Sequence, residues 1–356
     1  MPWFWSWSGW QERRKRARER KRDLKWKETF QSAYRKYLGL VASQDDLMKG
    51  QGLLRETLAR VFNGCPRLRN IQYLASKLFT NLACPERYEE AKSDLTWDMG
   101  SLATGCTVLT DLLLAAHDAN HKIEVLSVID ISHYFFTQGD ATSRMIGNTL
   151  SNLQRLTLSI GSRYFDEDED EAEEKRAQAQ DALEAQAFTK ILRSCVDLRE
   201  LEILLPFNFD DEEEAAQLGL RQIFGSLVLP ELSPLRLQHL AGTEDETVNL
   251  ILRHRTTLQA FSIDEANLTE GSWTSTFDRV AGRCPLLQDV SLHGAFHSEF
   301  ANGVEYYLDS DENDFAPSGW EESLEEVMLK RFTLRMQEYI KYGGTLPNAD
   351  DDTDEP

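Results

Sequence analysis

The sequence predicts an α/β fold of repeated helix-then-strand units, with parallel strands along one side and helices along the other. Three observations predict it: a leucine spelling that recurs along the chain, an amphipathic run ahead of most copies, and cysteines that keep one place relative to three of them. The spelling is L-x-x-L-x-L or a close variant. It reads L-R-N-I-Q-Y from Leu68, I-E-V-L-S-V from Ile123, L-Q-R-L-T-L from Leu153, L-R-E-L-E-I from Leu198, L-S-P-L-R-L from Leu232, L-Q-A-F-S-I from Leu258 and L-Q-D-V-S-L from Leu287. The starts are separated by 55, 30, 45, 34, 26 and 29 residues. Those steps cluster near the roughly 20–29 residues of a leucine-rich repeat, with one step near twice that.

Each element follows from local pattern. Alternation in the second half of a copy places two apolar side chains on one face of a short strand, and the first leucine packs inward from the preceding turn. Leu53, Leu54, Leu58, Val61 and Phe62 have helical spacing ahead of the first copy. Residues 100–117 read as helix, because a strand around Leu109 would crowd the one from Ile123. Phe188, Ile191 and Leu192, then Val248, Leu250, Ile251 and Leu252, then Trp273, Phe277 and Val280 mark further helices. Cys65, Cys195 and Cys284 stand three residues before Leu68, Leu198 and Leu287, which suits small buried side chains at a helix-to-strand junction. Glu321–Tyr342 places Leu324, Val327, Met328, Phe332, Leu334, Met336 and Ile340 at helical spacing and is expected to cap the last repeat. The fold class is therefore a leucine-rich-repeat-like solenoid, strands concave and helices convex, with irregular acidic insertions.

Charge divides the chain. Residues 1–36 hold twelve Lys or Arg against four Asp or Glu, about +8, so the remainder carries about −29 of the net −21. Acid is concentrated in Asp166–Glu174, Asp210–Glu214, Asp309–Asp314 and the tail Asp350–Glu355. The steps of 45 and 34 exceed a repeat of about 28 by roughly 17 and six residues. These excesses coincide with the first two acidic runs, which read as insertions on solvated loops. The domains expected are 1–36, a Trp/Arg-rich segment, disordered or helical; 37–300, the solenoid; 301–342, an acidic loop and capping helix; and 343–356, an acidic disordered tail.

Reaction chemistry finds little support. The sequence has no G-x-S-x-G, Walker-type G-x-x-x-x-G-K, dinucleotide glycine fingerprint or H-E-x-x-H. His117 with His121, and His293 with His297, could chelate a metal only if each pair were helical, and Gly294 makes H-G-A-F-H read as a turn. D-S-D-E-N-D from Asp309 opens like a calcium loop, but Asp314 stands at its sixth position and Trp320 at its twelfth. Five cysteines with no C-x-x-C pair give neither a zinc knuckle nor an even disulfide framework. No catalytic residue, metal or cofactor is expected. Unpaired thiols and the absence of an export signal favour cytoplasm or nucleus, and no apolar run reaches membrane-spanning length.

The stretch G-T-E-D-E-T-V-N-L-I-L-R-H-R-T-T-L-Q-A-F-S-I-D-E-A-N-L-T-E-G-S-W from Gly242 to Trp273, with C-P-L-L-Q-D-V-S-L after it, resembles the C-terminal repeats of fungal F-box and leucine-rich-repeat proteins. Y-L-G-L-V-A-S-Q-D-D-L and L-L-R-E-T-L-A-R-V-F-N-G-C-P-R-L-R-N-I resemble their early region, so the likeness spans about 34–300. It implies a substrate receptor of a cullin-type ubiquitin ligase, with ligase subunits among the partners. The place of an F-box is taken by the Trp-rich and Arg-rich start, which carries no leucine-proline motif.

The expected function is thus a non-enzymatic protein-interaction scaffold. Its partner is expected on the solvent-facing strand positions Arg69, Gln154, Arg155, Arg199, Glu200, Arg236, Gln259, Gln288 and Asp289. The alternative is a nucleic-acid-associated or membrane-surface protein acting through residues 1–36, where R-R-K-R-A-R-E-R-K-R and four tryptophans meet. The acidic solenoid itself would repel phosphates.

Overall fold

The computed structural model describes residues 52–74, 102–160, 181, 184, 186–205, 219–298, 303–308 and 324–348. The basic start, the early-region stretch 37–47 and all four acidic runs lie outside the described residues. The chain divides into two compact units, Met1–Thr57 and Leu58–Pro356. Of the first, only 52–57 are described, where helix α1 (Leu53–Gly64) begins.

The second unit alternates helix and strand. After α1 come β1 (Asn70–Leu74), α2 (Leu102–Asp118), β2 (Val125–Ile131), a 3-10 turn (His133–Thr137), α3 (Asp140–Thr149), β3 (Arg155–Ile160) and α4 (Ala187–Ser194). Then follow β4 (Glu200–Leu204), α5 (Leu220–Ile223), β5 (Pro234–Thr243), α6 (Glu244–Arg253), β6 (Ala260–Glu270), α7 (Trp273–Val280), β7 (Asp289–Ser298), β8 (Gly303–Leu308) and α8 (Leu324–Tyr342). The eight strands form one open sheet in sequence order, parallel from β1 to β7 and antiparallel between β7 and β8. This is an α/β architecture, and every one of β1 to β7 starts two residues after the first residue of a spelled copy.

The spelling sets the register. Ile71, Leu126, Leu156, Leu201, Leu235, Phe261 and Val290 stand opposite one another across the sheet. Two residues further on, Tyr73, Val128, Leu158, Ile203, Leu237, Ile263 and Leu292 form a second row. From β2 onward both rows are buried in a single core. Burying each such side chain stabilises by about 1.5–3 kcal/mol. Consecutive helices from α2 to α8 pack on one another and supply the rest of that core. Their starts are fixed locally: Thr243 and Glu246 make a reciprocal capping box on α6, and Ser272 accepts from Ser275 N on α7.

Buried junction cysteines are found at Cys195 and Cys284, but Cys65 is exposed. It belongs to the repeat that holds β1, a strand with β2 as its single neighbour among the described residues. Residues 303–308 are not part of an acidic loop: G-V-E-Y-Y-L forms β8. The turn read at H-G-A-F-H is also corrected, since β7 continues through it, with a register shift and Gly294 at φ +80. The helix expected across 321–342 is α8, which packs on β7, β8 and α7. Gly282, at φ +67, donates its N–H to Ile340 O at 3.0 Å, where a Cβ would stand 3.1 Å from Tyr342 O.

Candidate functional site: the open sheet face

Alternation along the strands sends every second side chain away from the core. On that face, register aligns Gln72, Ser127, Thr157, Glu202, Arg236, Ser262 and Ser291 in one row, all exposed or half-buried. The row before it reads Asn70, Val125, Arg155, Glu200, Pro234, Ala260 and Asp289; after it, Leu74 faces Ile129, and beyond a register shift between β2 and β3 the row continues as Ser159, Leu204, Gln238, Asp264 and His293. The face is mainly polar, with apolar Val125, Pro234 and Ala260 in its first row and Leu74, Ile129 and Leu204 in its last.

A backbone relay fixes the rim where the strands begin. Arg69 O accepts from Glu124 N (2.9 Å), Glu124 O from Gln154 N (2.8 Å) and Gln154 O from Arg199 N (2.8 Å). Arg199 O then accepts from Ser233 N (2.8 Å), Ser233 O from Gln259 N (3.0 Å) and Gln259 O from Gln288 N (2.8 Å). Five of the nine sequence-selected positions, Arg69, Gln154, Arg199, Gln259 and Gln288, therefore form one rim row. Arg155, Glu200 and Asp289 lie on the first row of the open face, and Arg236 on the second. Glu124 and Ser233 complete the rim and were missed, although each directly follows the first residue of a copy.

Several of these groups already hold one another. Arg69 Nε pairs with Glu124 at 3.3 Å and Arg155 Nε with Glu200, while Thr157 Oγ1 donates to Glu202 at 3.0 Å. Such exposed pairs contribute about 0–1 kcal/mol each and orient side chains more than they stabilise. Arg199 and Arg236, both exposed, have no ion-pair partner among the described residues.

Midway along β5, β6 and β7 lies a feature invisible to alternation. His239 on β5 (φ +55), Glu265 on β6 (φ +51) and Gly294 on β7 are left-handed residues on three adjacent strands. A left-handed residue inserts an extra step, so Gln238 with His239, and Asp264 with Glu265, are consecutive residues left half-buried between core positions. His239 Nδ1 bonds Leu205 O at 2.9 Å and its Nε2 lies 3.4 Å from Glu265 Oε2, an oxygen with no hydrogen bond. Gly294 is required there, because a Cβ would come within 2.4 Å of Glu265 Cγ. His239, Asp264 and Glu265 were not found from sequence; the repeat spelling ends before them.

The remaining reactive groups are used structurally. Burial pushes the Cys195 thiol up to about 12 and the Cys106 thiol up to about 11, so neither is a ready nucleophile. His117 lies on α2 but His121 lies beyond it, buried against the Phe62 ring at 4.7 Å and bonded to Leu68 O. His293 and His297 share strand β7, roughly 13 Å apart at a strand's rise, so neither pair has helical chelating geometry. Among the described residues no group of His, Cys, Asp and Glu is placed to hold a metal ion, and no helix is long and apolar enough to cross a membrane. No family model matches the chain, and neither a curated protein nor a solved structure matches it.

Proposed function

We propose that this chain is a non-enzymatic, leucine-rich-repeat-type scaffold that binds a protein partner on the open face of its sheet. The family resemblance of residues 34–300 gives the context: a substrate receptor working with a cullin-type ubiquitin ligase. The observation that carries the reading is the division of the sheet. The apolar rows are buried on the helix side, while the opposite rows present aligned arginines, carboxylates, amides and hydroxyls to solvent. Solenoids of this kind use such a face for recognition, and side chains there can vary without touching the core.

The test compares affinity captures by the intact chain and by Thr157→Arg and Ser262→Arg variants, with circular dichroism to verify folding. Partners that both folded variants lose, with cullin-ligase subunits among the proteins recovered, support the proposal. An unchanged partner set in both variants sinks the open-face reading, and absence of every ligase subunit sinks the receptor role.

A further inference from the structure

We propose that the open face takes an extended protein segment carrying an acidic and a basic side chain two residues apart, the acid over Arg236 and the base over Asp264. This inference rests on the open-face reading and names the chemistry of its partner. It follows from charge, register and the left-handed residues midway along β5 to β7.

The basic pole lies toward the starts of β4 and β5. Arg199 and Arg236 are exposed and without an ion-pair partner among the described residues. Glu202 stands opposite Arg236 in the β4–β5 pair, but it accepts from Thr157. Glu200 is likewise engaged by Arg155. The acidic pole lies midway along β6 on the same face, where left-handed Glu265 leaves two consecutive carboxylates outside the core. Asp264 is unpaired among the described residues. Glu265 reaches His239 at 3.4 Å, and its Oε2 lacks a hydrogen-bond donor. His293 stands opposite Asp264 on β7.

Register fixes the separation of the poles. Arg236 pairs with Ser262 and Gln238 with Asp264, so Asp264 is one strand across from Arg236 and two residues further on. With strands about 4.8 Å apart and a rise of about 3.3 Å per residue, the two Cα atoms are separated by roughly 8 Å. Side chains two residues apart in an extended peptide are separated by about 7 Å. A carboxylate and a cation at that spacing reach both poles together, and Ser262 between them leaves room for the intervening backbone. A segment with two like charges meets one pole favourably and is repelled by the other, which is how charged surfaces reject wrong partners.

The experiment uses the full chain and three short labelled peptides identical except for their charged pair: Glu-Thr-Lys, Glu-Thr-Glu and Lys-Thr-Lys, read by fluorescence anisotropy at low salt. The wild-type chain should bind the Glu-Thr-Lys peptide about tenfold more tightly than either other. Arg236→Glu should move the preference to Lys-Thr-Lys, and Asp264→Lys should move it to Glu-Thr-Glu. Equal binding of the three peptides, or a preference that neither reversal changes, overturns the inference. Capture of cellular partners separates it from the reading beneath it. Partners lost with Ser262→Arg but kept by both charge reversals overturn the charge spacing alone, whereas partners kept by Ser262→Arg and Thr157→Arg alike overturn the open face as well.

Discussion

Leu198 and Leu68 hold the same place in the spelling and the same backbone turn, so substituting each by alanine isolates what burial contributes. The Leu198 amide donates to Cys195 O at 3.1 Å and the Leu68 amide to Cys65 O at 3.0 Å. Leu198 is 0% exposed; Leu68 is 38% exposed. Deleting a fully buried leucine side chain costs the transfer term plus a cavity, about 3–4 kcal/mol within the usual range for this change. Leu68 already meets water and leaves no closed cavity, so Leu68→Ala should cost about 1 kcal/mol. At about 2 °C per kcal/mol for a unit of this size, the expected losses in Tm are roughly 6–8 °C and 2 °C. Urea unfolding followed by far-UV circular dichroism measures both. Equal losses would show that the spelling stabilises through its local turn and not through the stacked core, and the register argued above would fall with it.

Other substitutions probe the elements that position the face. Gly294→Ala should destabilise by about 1–2 kcal/mol, since it strains a left-handed position and drives a methyl into Glu265; in a double-mutant cycle with Glu265→Ala the two costs should be less than additive. His254 is buried, accepts from Leu229 N at 3.0 Å and bonds Leu250 O, and burial holds its pKa below the ordinary 6.5. A depressed value means that stability is intact above about pH 6.5 and falls as the pH drops below it. His254→Gln should flatten that part of a Tm-against-pH curve, and an unchanged slope would remove His254 as its source. Burial alone would raise the Glu305 carboxyl, but hydrogen bonds from the Thr274 hydroxyl and amide, Ser298 and the Trp273 amide outweigh it and hold the group below 4.5. Its contribution is present above pH 4.5 and lost as the pH falls through its lower folded value; Glu305→Gln should lose about 1–2 kcal/mol at neutral pH and show no such acid step. Iodoacetamide should modify Cys65 and spare Cys106, Cys195 and Cys284 until the chain unfolds, as mass spectrometry of the native protein would show.

The legible parts of this fold are those where local pattern and tertiary packing agree. The starts of seven parallel strands were legible because an apolar residue two positions ahead of each, Ile123 before β2 and a leucine before the others, is demanded by the core, and the helices before most of them show apolar faces at helical spacing. The short α5 was not legible: four residues are too few for a periodic signal. Strand β8 was, in principle. Val304, Tyr306 and Leu308 alternate with Gly303, Glu305 and Tyr307, but the acidic run that follows drew the whole stretch into a loop. Cys65 failed for a different reason. Sequence reports the equivalence of repeats, whereas burial depends on having a neighbour on each side, and among the described residues the repeat that holds β1 has one.

The open face divides along the same line. Within the strands, alternation turns Arg155, Glu200, Arg236 and Asp289 away from the core, whereas Arg69, Gln154, Arg199, Gln259 and Gln288 lie on the rim just ahead of the strands. Past the spelling, alternation predicts that Glu265 follows Asp264 into the core, where an unpaired carboxylate would cost several kcal/mol. The left-handed turn at Glu265 avoids that cost and leaves two carboxylates and a histidine half-exposed on adjacent strands, with Gly294 providing the space. A left-handed glutamate beside a left-handed histidine costs of order 1–3 kcal/mol per residue in backbone strain. An asparagine or glycine would hold the same backbone at lower cost. Retaining long charged side chains at two strained positions is therefore better explained by what those side chains do on the surface than by the stability of the sheet, and the charge reversal at Asp264 acts beside them without altering the turn itself.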